Sequence, residues 1–130
     1  MPTGFRSMPV LPCQDVEACT AFYVEKLGFK LANFFKEDGE AMAFAIVSMG
    51  TITMALQHAP DYKPFHGWSA YLYINDVRGL AAIAGARGVD IQTSPHETFY
   101  GMIEFDLKDP EGHVIAFGQD QNPGAEGPGL

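Results

Sequence analysis

Gly50-Thr-Ile-Thr-Met-Ala-Leu-Gln57 and Gly112-His-Val-Ile-Ala-Phe-Gly-Gln119 are two versions of one octet, with Gly first, Gln last and an apolar, strand-like middle. Two further landmarks recur at nearly the same interval. Asp15-Val16 opens an amphipathic segment that ends at Gly28, and Asp76-Val77 opens another that ends at Gly88. The offsets are 76 − 15 = 61, 88 − 28 = 60 and 112 − 50 = 62 residues. Agreement this close marks an internal duplication of a module of about sixty residues.

Each copy reads the same way. Residues 7–13 (SMPVLPC) form an apolar strand whose prolines suit a sheet edge. Asp15 can cap a helix by accepting from the free N–H groups of its first turn. Val16, Cys19, Phe22, Tyr23 and Leu27 then share one helical face. Lys26 suits the negative end of the helix dipole, and Gly28 supplies a left-handed stop. Strands are expected at 29–36, 40–48 and 51–57. The second copy has a strand at 68–74, a helix over 77–86 stopped by Gly88, and strands at 89–93, 99–107 and 113–119. Asp109-Pro-Glu-Gly112 is a turn, with Pro second and Gly fourth. The expected fold class is α+β: two βαβββ modules, about 5–58 and 66–119, forming a curved mixed sheet around a central cavity. Together they make one domain over 1–119, followed by a flexible tail at 120–130 that lacks apolar periodicity. Each helix covers one sheet face, and the uncovered faces are left to line a ligand site.

Composition narrows the function. The 130 residues are 47% hydrophobic, enough for a core without disulfides or metals. Sixteen acids against eight Lys+Arg give a net charge of −8. Nucleic acid is not an expected partner, because phosphate binding needs a basic footprint; a cationic or neutral one is accommodated. No apolar run reaches the roughly 18–20 residues of a membrane span. The start, MPTGFRSMPV, has no signal-peptide core, so a cytoplasmic location is expected. Cys13 and Cys19 lie outside any CxxC motif and are expected to be small buried apolar groups. His58, His66, His96 and His113 show neither HxH nor HExxH spacing. The first three are placed in or beside loops, and His113 on the face away from the cavity.

PVLPCQDVEACTAFYVEKLGF (9–29) resembles the opening of the vicinal oxygen chelate superfamily, which includes glyoxalase I, extradiol dioxygenases, fosfomycin-resistance enzymes and bleomycin-binding resistance proteins. AYLYINDVRGL, ARGVDI and DLKDPEGHVIAFGQ carry the matching second-half signature, and the resemblance spans 5–119. It implies four metal-ligand positions, one in the first and one in the last strand of each module. Aligning the DV, LGF and DPEG landmarks puts them at Met8, Met54, Ser69 and Ala116. None offers the imidazole or carboxylate that a hard or borderline divalent cation needs. No metal and no cofactor are therefore expected.

Strand alternation sorts the remaining side chains. If Ser69 faces the cavity, so do Tyr71 and Tyr73, while Trp68, Ala70, Leu72 and Ile74 face the helices. Met54 takes Ile52 and Leu56 with it. Ile103, Phe105 and Leu107 make helix-side core, which leaves Glu104 and Asp106 toward cavity or solvent. The cavity is then lined by Met8, Val10, Met54, Tyr71 and Tyr73, with Glu104 at one side. Apolar and aromatic walls suit a small molecule, and rings beside a carboxylate suit a flat or cationic one. Plain sheet packing is the alternative for the two tyrosines, and a solvated strand face for Glu104.

Among relatives, the bleomycin-binding proteins resemble the chain most directly. Their alternating aromatic strand is similar to residues 70–74 (AYLYI), their loop aromatic to Tyr100-Gly101, and their Glu-Phe before the DP turn to Glu104-Phe105. Tyr stands here where Trp is usual, one extra residue separates Gly101 from Glu104, and FFKEDGEAMAF (34–44) replaces a ligand-contacting segment. The expected ligand-binding residues are Tyr71, Tyr73, Tyr100, Glu104, Met54, Ser69 and Met8.

Two functions follow. The first is a metal-free binding protein, not an enzyme, that sequesters a small aromatic or cationic molecule such as an antibiotic. The alternative is a lyase or isomerase of the glyoxalase/dioxygenase kind, using unusual metal ligands such as His58 or His96, or Glu104 as general base. Exposed sheet edges and the resemblance both imply a homodimer, with the cavity formed within one chain or across two.

Overall fold

The computed structural model describes residues 1–37, 39 and 41–122. They form two compact units divided between Lys63 and Pro64. The first contains β1 (Val10–Cys13), α1 (Val16–Leu27), β2 (Lys30–Lys36), β3 (Met42–Met49) and β4 (Ile52–His58). The second contains β5 (Trp68–Tyr73), α2 (Val77–Ala86), β6 (Asp90–Glu97), β7 (Met102–Lys108) and β8 (Val114–Asp120). Strand order is β1-β4-β3-β2 in one sheet and β5-β8-β7-β6 in the other. In each, the first strand runs parallel to the last and the remaining pairs are antiparallel. The βαβββ pattern thus occurs twice, with two mixed four-stranded sheets and one topology.

Both helices begin as the sequence predicts. Asp15 accepts from the Ala18 N–H at 3.0 Å, and Asp76 from the Gly79 N–H at 2.9 Å. Each carboxylate satisfies a donor that the first helical turn leaves free. Helix α1 ends at Gly28 (φ 80°), after which the Phe29 N–H donates back to the Tyr23 carbonyl at 3.0 Å. That six-residue closure needs a left-handed residue at Gly28. Its buried face is Val16, Cys19, Thr20, Tyr23 and Leu27. Phe22, expected on this face, is only half-buried, and Thr20 takes its place by turning its hydroxyl to the Val16 carbonyl at 2.7 Å. Tyr23 is fully buried and meets Phe22 and Phe29 edge-on, with centroids 5.2 and 5.5 Å away.

In the second unit α2 packs on β6, β7 and β8. Phe105 and Phe117 face each other across the β7–β8 ladder, stacked at 5.4 Å. Leu107 and Ile115 are the next paired residues on that side and are fully buried. Cys13 and Cys19 are not joined in a disulfide and are fully buried, as expected of small apolar residues. Pro12 lies in β1, an edge strand, also as expected.

Several boundaries differ from expectation, among them the start of β7, expected at 99 and found at Met102. Met8 precedes β1, which begins at Val10. Strand β6 runs to Glu97, so His96 stands in a strand rather than a loop; register shifts along β6 absorb the polar SPHE segment. At the C-terminal end Asp120 still pairs with Met102, while 123–130, most of the expected tail, lie outside the described residues.

Candidate aromatic and acidic binding pocket

The second sheet builds its pocket on a strand that contributes almost no side chain. Ala116 and Gly118 alternate with Ile115 and Phe117 along β8, so they lie on the face opposite the phenylalanine stack. Their partners on β7 are Asp106 and Glu104; on β5, Tyr71 is opposite Ala116 and Tyr73 opposite Gly118. Cross-strand partners share a face. Two acids therefore stand on one side of a shallow trough and aromatic residues on the other.

Tyr71 spans that trough. A methyl group built onto Gly118 would overlap the Tyr71 hydroxyl and come within 2.7 Å of its Cε1, so the ring lies directly over the glycine. Its hydroxyl reaches Glu104 and donates to Oε2 at 2.8 Å. Trp68 makes a parallel crossing, its indole Nε1–H donating to Asp106 Oδ2 at 3.0 Å. A second tyrosine arrives from the β6–β7 turn. Gly101 (φ 86°) turns the chain there, and the Met102 N–H donates to the Thr98 hydroxyl at 3.0 Å. Tyr100, at the tip, donates its hydroxyl to the same Glu104 Oε2 at 2.5 Å. Glu104 is 3% exposed. It is not a solvated strand residue, but a buried carboxylate with two phenol donors on one oxygen and neither on the other.

Trp68, Tyr71, Tyr73, Tyr100 and Glu104 line a pocket of about 410 Å³. Trp68 and Tyr71 are 5.3 Å apart between centroids, and Tyr71 and Tyr73 meet edge-on at 5.0 Å. Burial and the bond to Glu104 raise the Tyr71 phenol far above its ordinary range. Desolvation first, then the bond to Glu104 and that carboxylate's charge, push Tyr100 up to about 12. Tyr100 as a whole remains 36% exposed, while its hydroxyl is bonded to the buried Glu104. Both phenols thus stay protonated, as donors, across the physiological range.

Tyr71, Tyr73, Tyr100 and Glu104, four of the residues read from the sequence, line one pocket. Of the others, Met8 is exposed ahead of β1, Met54 is fully buried within β4, and Ser69 sits in β5 at a register shift. That shift corrects the expectation for Trp68. Trp68 pairs with Val114 and Ala70 with Ile115, so Ser69 is an extra residue on β5. A bulge of one residue reverses side-chain parity. Trp68 thereby joins Tyr71 and Tyr73 on the pocket face instead of packing toward the helix. Gly118 was also missed as a site residue; the available signal was a glycine inside a strand, which marks close approach by another group.

The four positions implied for a metal hold a thioether ahead of β1, a buried thioether, a hydroxyl at a bulge and a buried methyl (Met8, Met54, Ser69, Ala116). Among the described residues no group of three or more His, Cys, Asp or Glu could hold a metal ion. The residues present do not fit a divalent metal centre. His96 is the β6 partner of Glu104, its Nδ1 3.0 Å from the Ser94 carbonyl oxygen. His113 is buried behind the Asp109 turn. His58 ends β4 beside Glu37, at 2.9 Å, and borders a smaller hollow of about 200 Å³ at the start of α1.

These features form an aromatic and acidic pocket on one half of a duplicated βαβββ fold. Residues 7–117 match the Glyoxalase/Bleomycin resistance protein/Dioxygenase superfamily, and the chain belongs to it. Among solved structures it is similar to the bleomycin-binding protein of bleomycin-producing Streptomyces verticillus, complexed with copper(II)-bleomycin. Identity is 26% over 90% of this chain and 97% of that one, with a TM-score of 0.68. TnmS3, an antibiotic binding protein from Streptomyces sp. CB03234, is 24% identical over 92% and 98%, with a TM-score of 0.71. A glyoxalase-related enzyme from Clostridium phytofermentans has a TM-score of 0.78 at 15% identity, over 92% and 97%. No curated protein matches the chain. No helix of the described residues is long and apolar enough to cross a membrane.

Proposed function

We propose that this protein binds a small flat aromatic or cationic molecule, such as an antibiotic, in the pocket between β5 and β7, without a metal and without turnover. The observation that carries this reading is Glu104: a carboxylate 3% exposed, fixed by Tyr71 and Tyr100 and walled by aromatic rings. A buried acid held in one orientation is a recognition element for a cation or an N–H donor. Ring faces beside it add stacking and cation–π attraction. The net charge of −8 favours approach of a cation. The similarity to bleomycin-binding and antibiotic-binding proteins supports the same reading. It extends to one domain over 1–119, a homodimer and a cytoplasmic location.

Isothermal titration against a panel of flat cations and glycopeptide or polyketide antibiotics tests it. Saturable one-to-one binding, lost in Glu104→Gln and Tyr71→Ala, is expected. No binding across the panel would overturn the reading. Sedimentation velocity tests the dimer.

The bare Oε1 of Glu104 favours one second reading, proton abstraction from a bound carbonyl compound by an oriented base. Catalytic turnover that Glu104→Gln abolishes would establish it in place of stoichiometric binding.

A further inference from the structure

Asp106 lies two residues beyond Glu104 on the same face of β7. Its Oδ2 accepts the Trp68 indole N–H at 3.0 Å. Its Oδ1 is buried and meets no donor among the described residues. A buried acceptor left unpaired is unfavourable, and where such an atom sits against a pocket wall, a ligand's donor can complete it. Trp68, which bonds the other oxygen, lines the pocket. Trp68 is 46% exposed, stands next to the Ser69 bulge, and is held by the Asp106 bond and a tilted contact with Tyr71. Alternation along an extended strand separates Glu104 and Asp106 by about 7 Å.

We infer that Asp106 is a specificity-determining residue of this pocket, taking a second donor group of the ligand beneath Trp68. The pocket then selects flat molecules with two cationic N–H groups about 7 Å apart over molecules with one. One group meets Glu104, the other meets Asp106, and the ring between them lies against the indole and the tyrosines. This deepens the binding reading above and rests on it.

The test compares benzamidine with benzene-para-diamidine, a single ring bearing one or two amidinium groups. Binding to the full chain is followed by calorimetry and by fluorescence of Trp68, the sole tryptophan. The diamidine is expected to bind about tenfold more tightly or better. Asp106→Asn, which keeps an acceptor for the indole, should remove that advantage, so that the two amidines bind this variant about equally. Glu104→Gln should weaken both. A diamidine advantage that survives in Asp106→Asn overturns the inference, as does benzamidine binding with no diamidine advantage in the native chain; the binding reading stands in either case. If neither amidine nor any other flat cation binds, both fall together.

Discussion

A methyl group on Gly118 should act at a distance, on Glu104. Gly118→Ala puts a carbon where the Tyr71 hydroxyl and ring edge lie. The ring cannot slide along β5, so it must swing off β8 and withdraw its hydroxyl from Glu104. The lost bond is to a charged group, worth about 1.5–3 kcal/mol. Ring contacts with Trp68 and Tyr73 add roughly 1 kcal/mol. Replacing glycine within a strand returns about 0.5–1 kcal/mol. The net cost is about 2 kcal/mol, a fall in melting temperature of roughly 6–10 °C for a chain of this size. Thermal denaturation followed by circular dichroism measures it, within a double-mutant cycle against Tyr71→Ala. With the ring gone, Gly118→Ala should cost nothing or stabilise slightly. An equal cost in both backgrounds, or none in the native one, would refute the placement of Tyr71 over the glycine.

Three further outcomes are expected. Below about pH 10 both pocket phenols are neutral whether the chain is folded or not; above it the unfolded phenols ionise first. Because Tyr100 ionises only at about 12 when folded and Tyr71 is raised further, stability should fall as pH climbs from about 10 through about 12. Melting curves of Tyr71→Phe with Tyr100→Phe should show a shallower fall, and an unchanged slope would contradict this. Asp15→Ala removes the cap of α1 and should cost about 1 kcal/mol in urea denaturation; Asp15→Asn, which retains an acceptor, should recover most of it. Asp106→Leu removes the anchor of the indole, so Trp68 emission should shift to the red as the ring enters water, and an unshifted spectrum would show that the hydrogen bond does not hold it.

Much of the fold was readable because duplication supplies an internal check. Asp15 and Asp76 cap matching helices, and the two Gly-to-Gln octets became β4 and β8 with their preceding turns. Glu104 was legible by alternation because β7 pairs with β8 without interruption. Trp68 was not, since the Ser69 bulge inverts a parity that a single sequence can only assume to be regular. His96 was misplaced for a related reason: an edge strand with register shifts accepts the Pro and polar residues that read as a loop. Tyr71 illustrates a different limit. Its facing follows from alternation, but its reach depends on the missing side chain at Gly118, in a strand far along the chain.

The bulge at Ser69 also separates two design problems that a regular strand would bind together. In an unbroken β5, residue 68 shares its face with Leu72, so any change at the mouth of the pocket must also satisfy the hydrophobic core. With one residue inserted, position 68 leaves that constraint, while Leu72 keeps its buried place opposite Phe117. The rim can then vary in size, polarity or aromaticity without disturbing the packing beneath the helix. A fold with this hinge in its alternation can acquire a new ligand by substitution at one exposed position, leaving its foundation intact.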